Sequence, residues 1–161
     1  MLRYNPNNEL LIIDASNIAF NGTKSPKFDN LVIARICLDI NRNKLFFIAD
    51  YRLFFTLKKR DKNFIEEIYH KWKDEGILIE SPNGITADEL ILEFAWSSVN
   101  ENPKIISNDK FKEYNEKLDV KWLESNLLLF RIVNNQLFLF KVEENNKEKT
   151  KQEFFLVKDS A

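Results

Sequence analysis

Apolar positions along the chain fall into short runs that end in acids, alternating with longer segments of helical spacing. Glu9-Leu-Leu-Ile-Ile-Asp14 is a continuous apolar run closed by a carboxylate, the pattern of a buried parallel strand. From Phe28 to Ile40, apolar residues at 28, 31, 32, 33, 36, 38 and 40 fit a helix better than a strand. Lys44 to Ala49 forms a second buried run, again followed by an acid, Asp50. Between Asp61 and Gly76, the stripe Phe64, Ile65, Ile68, Tyr69 and Trp72 predicts a helix, with Gly76 as its stop. A third strand at Ile77 to Glu80 leads into a turn through Ser81 to Gly84. Thr86-Ala-Asp-Glu89 has the spacing of a capping box and opens a helix through Leu90, Ile91, Phe94 and Ala95. Lys104 to Ser107 is a fourth strand, after which Asn108-Asp109 begins a further helical stretch with Phe111 and Tyr114. Leu127 to Val133 and Leu137 to Val142 read as strands joined in a hairpin at Asn134-Asn135, and Phe154 to Val157 as a small edge strand. Strand and helix alternate through the first two thirds, so the fold class is α/β, a parallel sheet with helices on both faces.

In such sheets, sites form beyond the carboxyl ends of the strands. Asp14, Asp50 and Asp109 each follow a predicted strand, and Asp88 lies a few residues after the third. Each has a plain structural reading, since Asp14 and Asp109 can cap helices and Asp88 and Glu89 favour a helix N-terminus. Together they repel one another, so either their pKa values rise or a cation lies between them. An all-oxygen set suits Mg²⁺ or Mn²⁺.

Composition narrows the chemistry further. With 161 residues, 44% hydrophobic and 30% charged, the chain is expected to be one soluble domain over residues 1–161. The 14 Phe residues are read as core. Cys37, the single cysteine, allows no intrachain disulfide and is expected to be a buried packing residue. With His70 the single histidine, a structural zinc site lacks ligands and catalysis falls to carboxylates. No apolar run is long enough to span a bilayer and the N-terminus lacks the zones of a signal peptide, so the cytoplasm is expected and a membrane is not. A net charge of −1 gives no global attraction to nucleic acid. A local basic patch does exist, with Arg52, Lys58, Lys59, Arg60 and Lys62 against Asp61. Tyr51, Phe54 and Phe55 lie among these cations, where aromatics can stack on bases, although the adjacent Phe pair reads as core. The stretch from Lys141 to Lys151 mixes both signs and reads as a solvated linker.

Leu11-Ile-Ile-Asp-Ala-Ser-Asn-Ile-Ala-Phe20 resembles the opening "IDGSN" strand and turn of NYN-type ribonucleases, above all the nuclease domain of the Regnase family. Thr86-Ala-Asp-Glu-Leu-Ile-Leu92 is similar to that family's acidic helix start, and Ser107-Asn-Asp-Lys-Phe111 to its "SND". The segment from Trp122 to Asn135 resembles the approach to its last strands, so the likeness covers about residues 9 to 140. The resemblance implies a PIN-like three-layer α/β/α fold, with a central, mainly parallel sheet and a C-terminal hairpin. It implies a metal-dependent endoribonuclease acting on single-stranded or looped RNA, with Mg²⁺ or Mn²⁺ held by Asp14, Asp88 and Asp109. Glu89 stands where the family often has a second Asp, and Asn17 matches the motif's Asn, which would position a water or a phosphate. Ala15 replaces the motif's Gly, and one cysteine cannot build the family's CCCH zinc finger. RNA is the implied partner, met along its backbone by Arg52, Lys58, Lys59 and Arg60, and a homodimer is allowed. The rival reading is a catalytically inactive NYN-fold module that binds RNA or protein. A receiver domain would need an acidic pair after the first strand, and a haloacid-type phosphatase an Asp where Ser16 stands.

Overall fold

The computed structural model describes residues 2–59, 62–114 and 119–142. Seven strands form one sheet: β1 (Leu2–Tyr4), β2 (Leu10–Asp14), β3 (Lys44–Ala49), β4 (Leu78–Glu80), β5 (Lys104–Ile106), β6 (Leu127–Val133) and β7 (Gln136–Lys141). Their spatial order is β1-β7-β6-β5-β2-β3-β4. β6, β5, β2, β3 and β4 run parallel, while β7 pairs antiparallel to β6 and β1 antiparallel to β7 at the outer edge.

The helices are α1 (Ala15–Phe20), α2 (Phe28–Asp39), α3 (Leu53–Lys58), α4 (Lys62–Asp74), α5 (Ala87–Ser97) and α6 (Val120–Asn126). The period of two along each strand assigns them to two layers. Leu11, Ile13, Phe47, Ala49, Ile106, Leu128 and Phe130 pack under α1 to α4 with Ile18, Leu31, Leu57, Tyr69 and Trp72. Their neighbours Ile12, Ile48, Ile105, Leu127 and Leu129 pack on the other face with Ile91, Leu92 and Ala95 of α5 and Leu123 of α6. The result is the three-layer α/β/α arrangement with a mainly parallel sheet, as the alternation predicted.

Several expectations need correction. No helix starts at Asn108-Asp109: Phe111 adopts φ +54, which breaks helical geometry, and only a short 3-10 turn at Lys112–Tyr114 follows. β1, α3 and α6 were not foreseen, whereas α1 follows the cap that Asp14 was read to offer. Cys37 is half-buried rather than enclosed. Phe54 is core at 9% exposure, but Phe55 stands out at 60%. The hairpin holds, with Asn134 and Asn135 both at positive φ, as a two-residue turn of the primed type requires. Gly76, at φ +75, ends α4 as predicted. The expected strand at Phe154 to Val157, residue Arg60 and most of the Lys141–Lys151 stretch lie outside the described residues. Among the described residues, no helix is long and apolar enough to cross a membrane.

The topology fixes where a site can form. From β2 the chain winds outward through β3 and β4, then α5 carries it back across the opposite face to β5, on the other side of β2. The strand order therefore reverses between β2 and β5, the place where open parallel sheets bind ligands.

Candidate active site

Asp14 is the last residue of β2 and the cap of α1, so the end of the strand delivers its carboxylate directly to the reversal point. It is 4% exposed. Its Oδ1 accepts the Asn17 backbone N–H at 3.2 Å, and its Oδ2 accepts the Ser107 hydroxyl at 2.8 Å. That hydroxyl in turn accepts the Asp109 N–H at 3.0 Å, so one buried serine ties the two acids across β2 and β5. Asp109 is exposed, and its Oδ1 accepts the Phe111 N–H at 2.8 Å, which turns the chain where a helix had been expected.

Two asparagines hold this corner. β5 ends at Ile106, so the edge of β6 that faces it is left without a strand partner beyond Leu128, while the other edge stays paired with β7. The Asn108 side chain takes the vacant place, donating to Phe130 O and accepting from Phe130 N–H. Asn21, at the end of α1, does the same at Ile132. Asn17 Oδ1 accepts the Asn108 N–H at 2.8 Å. That bond fixes the orientation of its amide, because a backbone N–H can only donate. Asn17 thus fastens α1 to the Ser-Asn-Asp turn while also lining the cleft.

The cleft has a volume of about 360 Å³ and is walled by Asp14, Asp50, Asp88 and Asp109, with Ser16, Asn17, Phe20, Thr86 and Ala87 completing it. Asp88 comes from the first turn of α5. Thr86 Oγ1 accepts the Glu89 N–H, and Glu89 Oε2 accepts the Thr86 N–H, both at 3.1 Å. The capping box is therefore formed as the sequence indicated, and it assigns the adjacent acids different places. Asp88 lines the cleft, and Glu89 folds back to the helix end.

The electrostatics follow from burial and crowding. Burial, aided by the Asp109 charge, raises the Asp14 pKa to about 6, against the two hydrogen bonds that favour its anion. Asp88 is pushed to about 7 by burial, by the charges of Asp14 and Asp109, by a hydrogen bond to Asp109 and by the charge of Glu113. The acids converge without closing on one point. Among the described residues, no three acidic, His or Cys side chains form a ready-made ligating cluster. The donor set is nonetheless that of a hard cation: carboxylate oxygens, one amide and two hydroxyls around one cleft, with no sulfur or imidazole. Ala15, where the motif has Gly, buries its methyl in the core under α1 and leaves the cleft unobstructed.

The basic residues are arranged less tightly. Arg52 donates its backbone N–H and its Nε to Asp50 Oδ1, at 2.9 and 3.3 Å, and so stands at the cleft's rim. The Lys58 ammonium lies 5.5 Å from the centre of the Phe54 ring, and Lys59 is exposed. Ser107 is the residue whose contribution the sequence left unread, while Asp50, placed by the sequence among the acids that follow strands, does line the cleft. Their signal was position, directly at or after a strand end, rather than residue type.

A sequence model of the Zc3h12a-like ribonuclease NYN domain matches residues 7–153. Among solved structures, the chain is similar to two of nuclear protein-only RNase P 2 (PRORP2) from Arabidopsis thaliana. One has a TM-score of 0.63 at 18% identity, covering 81% of this chain and 29% of that one. The other has a TM-score of 0.65 at 18% identity, covering 85% of this chain and 30% of that one. The chain thus spans under a third of their length, and at such identity the likeness is one of fold. No curated protein matches significantly.

Proposed function

Because the chain belongs to the Zc3h12a-like ribonuclease NYN domain family, whose members are nucleases acting on RNA, we propose that it is a divalent-metal-dependent endoribonuclease. The observation that carries this reading is the convergence of Asp14, Asp88 and Asp109 on one cleft at the strand-order reversal. Two of these carboxyls have pKa values raised by burial and by neighbouring acids, and a cation between them would relieve the crowding of like charge. Mg²⁺ or Mn²⁺ would be held by Asp14, Asp88 and Asp109, with Asp50 at the edge and Glu89 reserved for the helix cap. When bound, such an ion supplies charge neutralisation for the phosphodiester and acidifies a water. The chain's own residues do the positioning. Ser107 and the Asn17 N–H hold the Asp14 carboxylate in one rotamer, and the Asn17 amide lies on the cleft wall within reach of a phosphate. Arg52 at the rim offsets the repulsion between acids and RNA backbone, and Lys58 and Lys59 extend that offset along the strand.

The test is cleavage of labelled single-stranded RNA, duplex RNA and single-stranded DNA with Mg²⁺, Mn²⁺ or EDTA. Cleavage of single-stranded RNA that EDTA abolishes is expected. Asp14→Asn and Asp109→Asn should each lower the rate roughly 100-fold or more, the scale of several kcal/mol of lost charge stabilisation. Wild-type rates in both variants would move the site elsewhere. The second reading is a catalytically inactive module of the same fold. RNA binding without turnover in either metal would select it.

A further inference from the structure

Asp50 closes β3 and lines the cleft, and the chain leaves it directly as α3. Leu53, Phe54 and Leu57 of that helix are buried. Arg52, Phe55, Thr56 and Lys59 recur at spacings of three and four, so they share its outer face. A single exposed apolar residue is ordinary and carries no signal by itself. Phe55 differs in its setting. It is 60% exposed, on a face that starts at an acidic cleft and has a cation on either side of it. Arg52 is pinned at one end through Asp50, with its side chain still 73% exposed, and Lys59 stands exposed at the other. Tyr51, 36% exposed, lies beside the Arg52 guanidinium at 5.6 Å.

We propose that the outer face of α3 is a stacking subsite for unpaired nucleotides, with the Phe55 ring under a base and Arg52 and Lys59 on the flanking phosphates. The proposal rests on the ribonuclease reading of the cleft and adds to it a reason for substrate choice. An aromatic ring gains from a base only when the base offers a free face, and a cationic groove tracks the backbone of a single strand. Bases inside a duplex have both faces covered by their neighbours. A strand lying on α3 therefore runs from Phe55 past Arg52 into the cleft, and paired RNA forgoes the stacking contact. Charge complementarity and continuity with the cleft select this occupant over a protein partner.

The experiment measures binding of 2-aminopurine-labelled single-stranded RNA and of duplex RNA in Ca²⁺, with cleavage in Mg²⁺ measured in parallel. Phe55→Ala is expected to weaken single-strand binding roughly 5- to 150-fold, the range for loss of one base–aromatic stack, and to abolish quenching of the stacked 2-aminopurine. Duplex binding should be unchanged, KM for single strands should rise while kcat holds, and Phe55→Trp should restore both binding and quenching. Phe55 is exposed but meets the Phe54 ring edge-on at 5.6 Å, so thermal melts of its variants are run alongside to separate lost packing from lost stacking. If the wild type cleaves RNA and Phe55→Ala binds single strands equally well, the subsite is wrong and the nuclease reading stands. A changed sedimentation coefficient with unchanged RNA affinity would overturn it in favour of a protein interface. If the wild type neither binds nor cleaves RNA, the nuclease reading fails and the subsite with it.

Discussion

Asp14 is almost sealed from solvent, yet each of its oxygens is met by a donor, which keeps it oriented without making it easy to ionise. Its pKa of about 6 and that of Asp88, about 7, lie above the value near 4 of an Asp in an unfolded chain. Between about pH 4 and about pH 7 the folded chain therefore holds more protons than the unfolded one, and stability falls as pH rises through that window. In the absence of divalent cations, Tm should be higher at about pH 5 than at about pH 8, as read by thermal melts in matched ionic strength. Under the proposed function, Mg²⁺ should raise Tm at the higher pH and hardly at the lower, where the carboxyls are protonated. Asp88→Asn should flatten the profile. A Tm that climbs steadily from acid to neutral would mean that these side chains are not crowded together.

At the scale of the element, α5 shows how one turn separates two adjacent acids. Glu89 is exposed and bonded to the helix end, whereas Asp88 faces the cleft. Asp88→Ala should cost activity, while Glu89→Ala should leave activity near wild type and cost on the order of 1 kcal/mol of stability. Urea melts and cleavage rates measured on both variants check this, and the opposite pattern would make Glu89 the ligand. The capping box was legible because Thr-x-x-Glu is a local pattern, and the buried strands because runs such as Leu10–Ile13 leave no polar face. That Asp14, Asp88 and Asp109 come together at one cleft was legible from their place after strands and their match to family motifs. β1 was not, since Leu2-Arg-Tyr4 offers a single exposed aliphatic residue, and its pairing is decided by a partner far along the chain. The turn after Asp109 was misread because Phe111 and Tyr114 have helical spacing, and the competing Asp109–Phe111 bond is a three-dimensional fact. Phe55 was read with Phe54 as core, but the buried stripe of α3 runs through Leu53, Phe54 and Leu57 and leaves Phe55 outside it, a choice the sequence does not state.

For the whole molecule, a net charge of −1 and an acidic cleft set the field against a polyanion. Binding must then depend on a few well-placed cations, and salt should report how many. Exchanging Arg52 and Lys59 together for Gln should flatten the plot of log affinity against log salt by about 1.4 for single-stranded RNA, at about 0.7 per phosphate contact. Sequence preference should barely change, because phosphate contacts position a strand without reading it. The measurement belongs in Ca²⁺ or on an Asp109→Asn background, so that cleavage does not intrude, and an unchanged slope would place the RNA path away from α3.

The pairing of β1 with β7 joins Leu2 to Lys141, residues separated by nearly the whole described chain. During synthesis β1 is made before its partner, which emerges only after the five strands β2 to β6 have appeared. Until then the nascent chain can assemble β2 to β5 and their helices from contacts closer in sequence, while Leu2–Tyr4 waits. Loop closure on that scale makes β1 docking a late step of folding. It also makes β1 a clasp, closing the outer edge of β7 and setting Arg3 over the Phe138 ring at 4.8 Å once the rest is in place. Until β1 docks, the open edge of β7 is a surface on which a neighbouring chain would pair. The step most exposed to misassembly thus lies on the far side of the sheet from β3 and β4, and damage there would lower the yield of folded protein before it altered the cleft.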